Sequence, residues 1–130
     1  MDLYELPFAK IIILEDSLAE VLVNDGVVMN SEMVAAYHEF LLAHLQAPFS
    51  LLINKVNAYS YDFEAQENLA TLEQINAMAV VSYTRISTIS TESLASVPRA
   101  TEWNLRIFTD RGEALVWLRA KQAKVARKAG

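Results

Sequence analysis

Short apolar segments alternate with helical stripes along this chain, and that alternation constrains the fold more tightly than any other feature. Ala9 to Glu15 (AKIIILE) and Ala19 to Met29 (AEVLVNDGVVM) are rich in Ile and Val and are parted by Asp16 and Ser17, which reads as an antiparallel hairpin. Asn24-Asp25-Gly26 is a turn signal inside the second run, so that strand either bends there or gives way to another short extended piece. Met33, Val34, Tyr37, Phe40, Leu41, His44 and Leu45 then recur at helical spacing, with Asn30 or Ser31 placed as N-cap and Pro48 as the stop. Phe49 to Val56 reads as a third strand, whose continuous apolar centre suits a buried position.

The same alternation runs on to the end. Ala65, Leu69 and Leu72 predict a second helix from Asp62 to about Gln74, and Ala77 to Tyr83 a fourth strand. Ser87 to Ser96 has poor helix propensity, yet Ile86, Ile89, Leu94 and Val97 keep a helical period before Pro98, which predicts a short third helix. Asn104 to Thr109 is a fifth strand, and Asp110 with Glu113 opens a final helix that buries Ala114, Leu115, Trp117 and Leu118. The order β-β-α-β-α-β-α-β-α predicts an α/β fold: a mixed, mostly parallel sheet of about five strands with about four helices and right-handed crossovers. With 130 residues, the chain suits one domain with one core.

Composition excludes several kinds of chemistry. There is no cysteine, hence no disulfide, zinc-thiolate site or thiol nucleophile. The glycines are Gly26, Gly112 and Gly130 alone, so no glycine-rich loop can cradle a nucleotide and no cofactor is expected. His38 and His44 lie about 240° apart around one helix and cannot share a metal; His44 is read as a core or edge residue and His38 as solvated. No serine stands in a nucleophile-elbow motif, and the acid pairs Glu15/Asp16 and Glu64/Glu67 fit solvated turns and helix faces, so a non-enzymatic protein is expected.

All 16 acidic residues precede Arg119, whereas the last 12 residues hold Arg119, Lys121, Lys124, Arg127 and Lys128 as a basic tail. A body this acidic repels a phosphate backbone, so nucleic acid is not expected as a partner. MDLYELPF carries acids where a secretory signal carries Lys or Arg, and no apolar run reaches the roughly 18 residues of a membrane helix, so a soluble cytoplasmic protein without a membrane span is expected.

One stretch departs from simple strand-turn-helix chemistry. LLINKVNAYSYDFEAQ, residues 51–66, places Asn57, Tyr59, Ser60 and Tyr61 where the third strand hands over to a helix. Ligand and partner sites on such folds lie at the carboxyl ends of parallel strands, which makes these four the candidate binding residues. The two tyrosines either supply amphipathic contact area to a partner or cover the end of the core, with Asn57 and Ser60 satisfying backbone groups in the turn.

The element order, the segment INKVNAYSYD and the closing DRGEALVWLRA together resemble the SpoIIAA-like branch of the STAS superfamily, the fold of anti-sigma-factor antagonists and of small bacterial proteins related to them. The resemblance runs from about Phe8 to Arg119 and implies a SpoIIAA-like (STAS-like) fold, a regulatory or protein-interaction role and homodimers. In the antagonists a serine at the N-terminus of the helix after the third strand is phosphorylated within a D-S-[ST]-G motif. Ser60 falls close to that place, within Asn57-Ala58-Tyr59-Ser60-Tyr61, and is the candidate phosphoacceptor that the resemblance implies. Wider relatives of the fold hold apolar ligands, so a small apolar ligand or lipid carrier is the alternative function. Tyr83, Trp103, Phe108 and Trp117 are candidates for a shared face in self-association, Trp103 foremost as an exposed aromatic.

Overall fold

The computed structural model describes residues 2–68, 72–95 and 104–129. Strand β1 (Asp2–Leu6) turns at Pro7-Phe8 into β2 (Ala9–Glu15), which pairs antiparallel with it and with β3 (Leu18–Val23). At Asn24-Asp25-Gly26 the chain leaves the sheet. Gly26 sits at φ 77°, a left-handed conformation that costs a side-chain-bearing residue strain. The next piece, β4 (Val28–Met29), pairs not with the main sheet but in parallel with β6 (Ser60–Tyr61).

Helix α1 (Ser31–His44) starts where the Asn30 side chain accepts a hydrogen bond from the Met33 amide at 2.9 Å. Its buried stripe is Val34, Tyr37 and Leu41. Then follow β5 (Phe49–Lys55), α2 (Phe63–Asn68), β7 (Ile75–Ser82), α3 (Arg85–Ala95), β8 (Leu105–Phe108) and α4 (Arg111–Ala129). The main sheet has six strands in the order β1-β2-β3-β5-β7-β8, antiparallel as far as β3 and parallel beyond it.

Successive crossovers from β3 step the same way across the sheet, so right-handed connections bring their helices to one face. On that face Val34, Tyr37, Leu41 and Ala65 meet Val21, Leu51, Ile53, Met78 and Val80. On the other, Ala114, Leu115 and Leu118 of α4 meet Leu18, Leu52, Ala77, Ala79 and Val81. Covered on both faces, β5 and β7 are apolar through their middles, hence the runs Leu51-Leu52-Ile53 and Ala77 to Val81.

The structure corrects the sequence reading in four places. The sheet has six strands, the added one being β1, whose acids Asp2 and Glu5 mask its alternation. The second helix is shorter than expected: α2 is Phe63–Asn68, and Glu73 and Gln74 form a turn before β7, with residues 69–71 outside the described residues. His38 is half-buried, its Nε2 out of contact with solvent and without a hydrogen-bond partner, rather than solvated. Ile86 and Ile89 do not face the core but stand out from α3. Trp103 and Val97 lie outside the described residues. The basic end continues α4, where Gln122 accepts from Asn76 and donates to the Pro48 carbonyl, both at 3.0 Å, and so fastens the helix to the sheet.

Candidate functional site

Alternation along β5 sends its last two residues to opposite faces at the carboxyl end of the parallel strands. Asn54 points toward α4 and Lys55 toward α3.

On the α4 side the polar groups form a continuous chain. Tyr83 donates from its hydroxyl to Asn54 Oδ1 at 2.7 Å, and Asn54 donates to Glu20 Oε2 at 2.8 Å. Arg111, at the first turn of α4, donates from Nη2 to Glu20 Oε1 at 2.6 Å and from Nε to Oε2 at 3.0 Å. Glu20 is only 3% exposed. Burial pushes its carboxyl up, but the hydrogen bonds from Arg111 and Asn54 and the guanidinium charge outweigh this and hold it below the ordinary carboxylate value. A carboxylate so engaged is a clamp between β3, β5 and α4, not a base waiting for a proton.

On the other side the β5–α2 junction is strapped to the turn after β3. Asn57 donates from Nδ2 to the Val23 carbonyl at 3.0 Å, and Asp25 accepts from the Ala58 amide at 3.0 Å. The Gly26, Ser60 and Asp62 amides donate to Ala58, Val27 and Met29 respectively, completing the β4–β6 ladder. Tyr59 and Tyr61 are half-buried behind this strap, ring centroids 5.6 Å apart and edge to face, both packed against the core. Burial pushes the Tyr59 phenol up to about 12, and burial together with Tyr59 pushes Tyr61 well above its ordinary value. Both stay neutral at physiological pH and act through area and hydroxyl hydrogen bonding.

Lys55 stands in front of them. Its ammonium lies 4.9 Å from the Tyr59 ring centroid and donates to Thr91 Oγ1 at 3.3 Å. Among the described residues no carboxylate lies within 4.0 Å of it, and burial lowers its pKa.

Helix α3 supplies the facing wall. Thr84 caps it, accepting from the Ser87 amide at 3.0 Å, while Thr88 and Thr91 turn inward to Ser82 and Lys55. Ile86 and Ile89 are thereby left outward, 81% and 54% exposed. Strap and helix enclose two adjoining hollows of about 350 and 280 Å³. Both are lined by Lys55, Tyr59, Ile86 and Ser90, so they form one groove.

The four residues singled out in the sequence all reach this groove. Tyr59, Ser60 and Tyr61 line the larger hollow and Asn57 the smaller. Ser60 is exposed on β6 and is not at the helix N-terminus: Asp62 caps α2, accepting from the Ala65 amide at 2.8 Å, so the helix dipole offers a phosphate on Ser60 no direct support. Lys55 lies within the junction of residues 54–63 that the sequence marks but was not singled out there, and Ile86, Ile89 and Ser90 were missed. Lys55 was legible as the one charge of its strand, at its carboxyl end; the isoleucines were not, because a helical period does not say which face is covered.

A second, enclosed cavity of about 30 Å³ lies between α1 and the sheet, lined by Phe8, Val21, Tyr37, Ile53 and Met78 among others, which is room for about one water. Tyr37, 4% exposed, lines it with a hydroxyl that has no hydrogen-bond partner. No cluster of His, Asp or Glu among the described residues could hold a metal ion, and no described helix is long and apolar enough to cross a membrane. Comparison with protein-family models, curated proteins and solved structures gives no match. Fold and site thus define an α/β protein with a mixed, mostly parallel sheet and an open groove at the carboxyl end of its central strands.

Proposed function

We propose that this protein is a cytoplasmic, non-enzymatic docking module, regulatory in the manner of the STAS and antagonist domains its sequence resembles. Its working surface is the groove between the β5–α2 junction and α3. The observation that carries this reading is the pair Ile86 and Ile89, held out to solvent on the groove wall with exposed Val56 beside them. Apolar side chains gathered at a rim of this kind mark sites where another surface is received. The groove is open along its length, and the enclosed cavity, at about 30 Å³, falls far short of the several hundred needed to hold a small-molecule ligand. Both facts favour a docked protein, a second copy in a homodimer or another chain, over a carried apolar ligand. Ser60, as phosphoacceptor, would bring a dianion into the hollow that Lys55 lines and so alter docking.

The test is the double variant Ile86→Ser/Ile89→Ser, compared with the parent by melting temperature and by size-exclusion light scattering over a concentration series. A docking wall predicts an unchanged melting temperature and loss of association. An association that survives the substitution would place the interface elsewhere.

A further inference from the structure

The groove is built around a single charge. Of the side chains lining its two hollows among the described residues, only Lys55 is ionic; the rest are hydroxyls, amides, tyrosines and aliphatic groups. An ammonium group has three donors, and Lys55 uses one of them on Thr91. The Tyr59 ring supports its charge from one side without neutralising it. The buried carboxylate Glu20, by contrast, is paired with Arg111. A half-buried cation without an acidic partner among the described residues is locally complementary to an anion from outside.

The kind of anion follows from what surrounds the charge. A phosphate dianion calls for several cations or a nest of amides, whereas one ammonium flanked by Ser60 and Ser90 matches one carboxylate. The hollows continue past Lys55 both ways along α3, toward Ile89 and Ser93 at one end and Thr84 and Val56 at the other. That shape admits a chain passing through rather than a molecule sealed within. Resting on the docking reading above, we infer that the partner enters as an extended segment whose central carboxylate side chain sits on Lys55 and whose flanking apolar side chains lie against Ile86 and Ile89.

The test is a chemical-shift titration of the full-length protein with two blocked tripeptides, acetyl-Ile-Glu-Ile-amide and acetyl-Ile-Gln-Ile-amide, and with sodium octanoate. The inference predicts that the Glu peptide moves the amide signals of Lys55, Tyr59, Ile86 and Ser90. The Gln peptide should bind about five- to tenfold more weakly, the worth of a charge-assisted hydrogen bond. Lys55→Met should erase the difference between the peptides and Lys55→Arg should keep most of it, while the peptide exchange needs no folded variant at all. Equal binding of both peptides, shifts confined to the basic end of α4, no shift at all, or octanoate binding more tightly than the Glu peptide would each overturn it. The docking reading itself is judged separately, by the association of the isoleucine variant.

Discussion

Replacing Arg111 with Met isolates the Glu20 carboxylate and turns the clamp at the head of α4 into a pH-dependent liability. The substitution removes the guanidinium contacts to both Glu20 oxygens and leaves Asn54 as the remaining donor to a carboxylate that is 3% exposed. Breaking a buried pair from one side costs about 3–5 kcal/mol. The Arg111 side chain is 44% exposed, so water replaces part of what is lost and about 2 kcal/mol is the fitting figure at neutral pH. At an unfolding entropy of roughly 2 cal/mol/K per residue, this lowers the melting temperature by about 7 °C. In the parent, the Glu20 pKa is depressed on folding, so its stabilisation is present above the ordinary carboxylate value and is lost as pH falls through the folded value. In the variant, burial is opposed only by the Asn54 hydrogen bond and raises that pKa, so acid protonates Glu20 in the fold and relieves the penalty. The difference between the two melting curves should therefore be full at about pH 7 and shrink as the pH falls through the carboxylate range. Scanning calorimetry across that range decides it. A gap that stays constant with pH would refute the clamp, as would Glu20→Gln/Arg111→Met proving no more stable at neutral pH than Arg111→Met alone.

Three further perturbations test other parts of the structure. Tyr37→Phe removes a buried hydroxyl that has no partner, so urea unfolding should show stability unchanged or raised by up to about 1 kcal/mol; a loss of that size would show the hydroxyl to be satisfied. Burial lowers the His38 pKa, so below the ordinary histidine value the unfolded chain takes up a proton that the folded one refuses, and stability falls with pH; His38→Gln should flatten the slope between about pH 7 and about pH 5. Asn30→Ala removes the cap of α1 and should cost about 1 kcal/mol in the same unfolding assay, with no change in association.

The central fold was legible because its strands are buried on both sides. Leu51-Leu52-Ile53 and Ala79-Val80-Val81 have no polar residue to confuse the period, and their continuous runs forecast parallel strands under two layers of helix. The edge was not legible: β1 alternates Leu3 and Glu5 outward with Tyr4 and Leu6 inward, and Tyr4 is recognisable as structural only when its ring is seen against Phe40 and His44. The turn at Asn24-Asp25-Gly26 announced a break, but that Val28-Met29 would pair with Ser60-Tyr61 depends on a contact more than thirty positions away, which no local pattern encodes. At the site, the unusual residues 57–61 marked the right end of the sheet. The opposing wall was hidden because Ile86 and Ile89 resemble a core stripe, and only the inward hydroxyls of Thr88 and Thr91 reverse the helix.

Amide hydrogen exchange, taken with the protein dilute and then concentrated or bound to a captured partner, tests the docking groove most directly. The account predicts added protection concentrated in residues 55–61 and 84–93, the two walls of the groove. Protection that appears instead over the outer face of β1 and β2, with α3 exchanging as before, would contradict it.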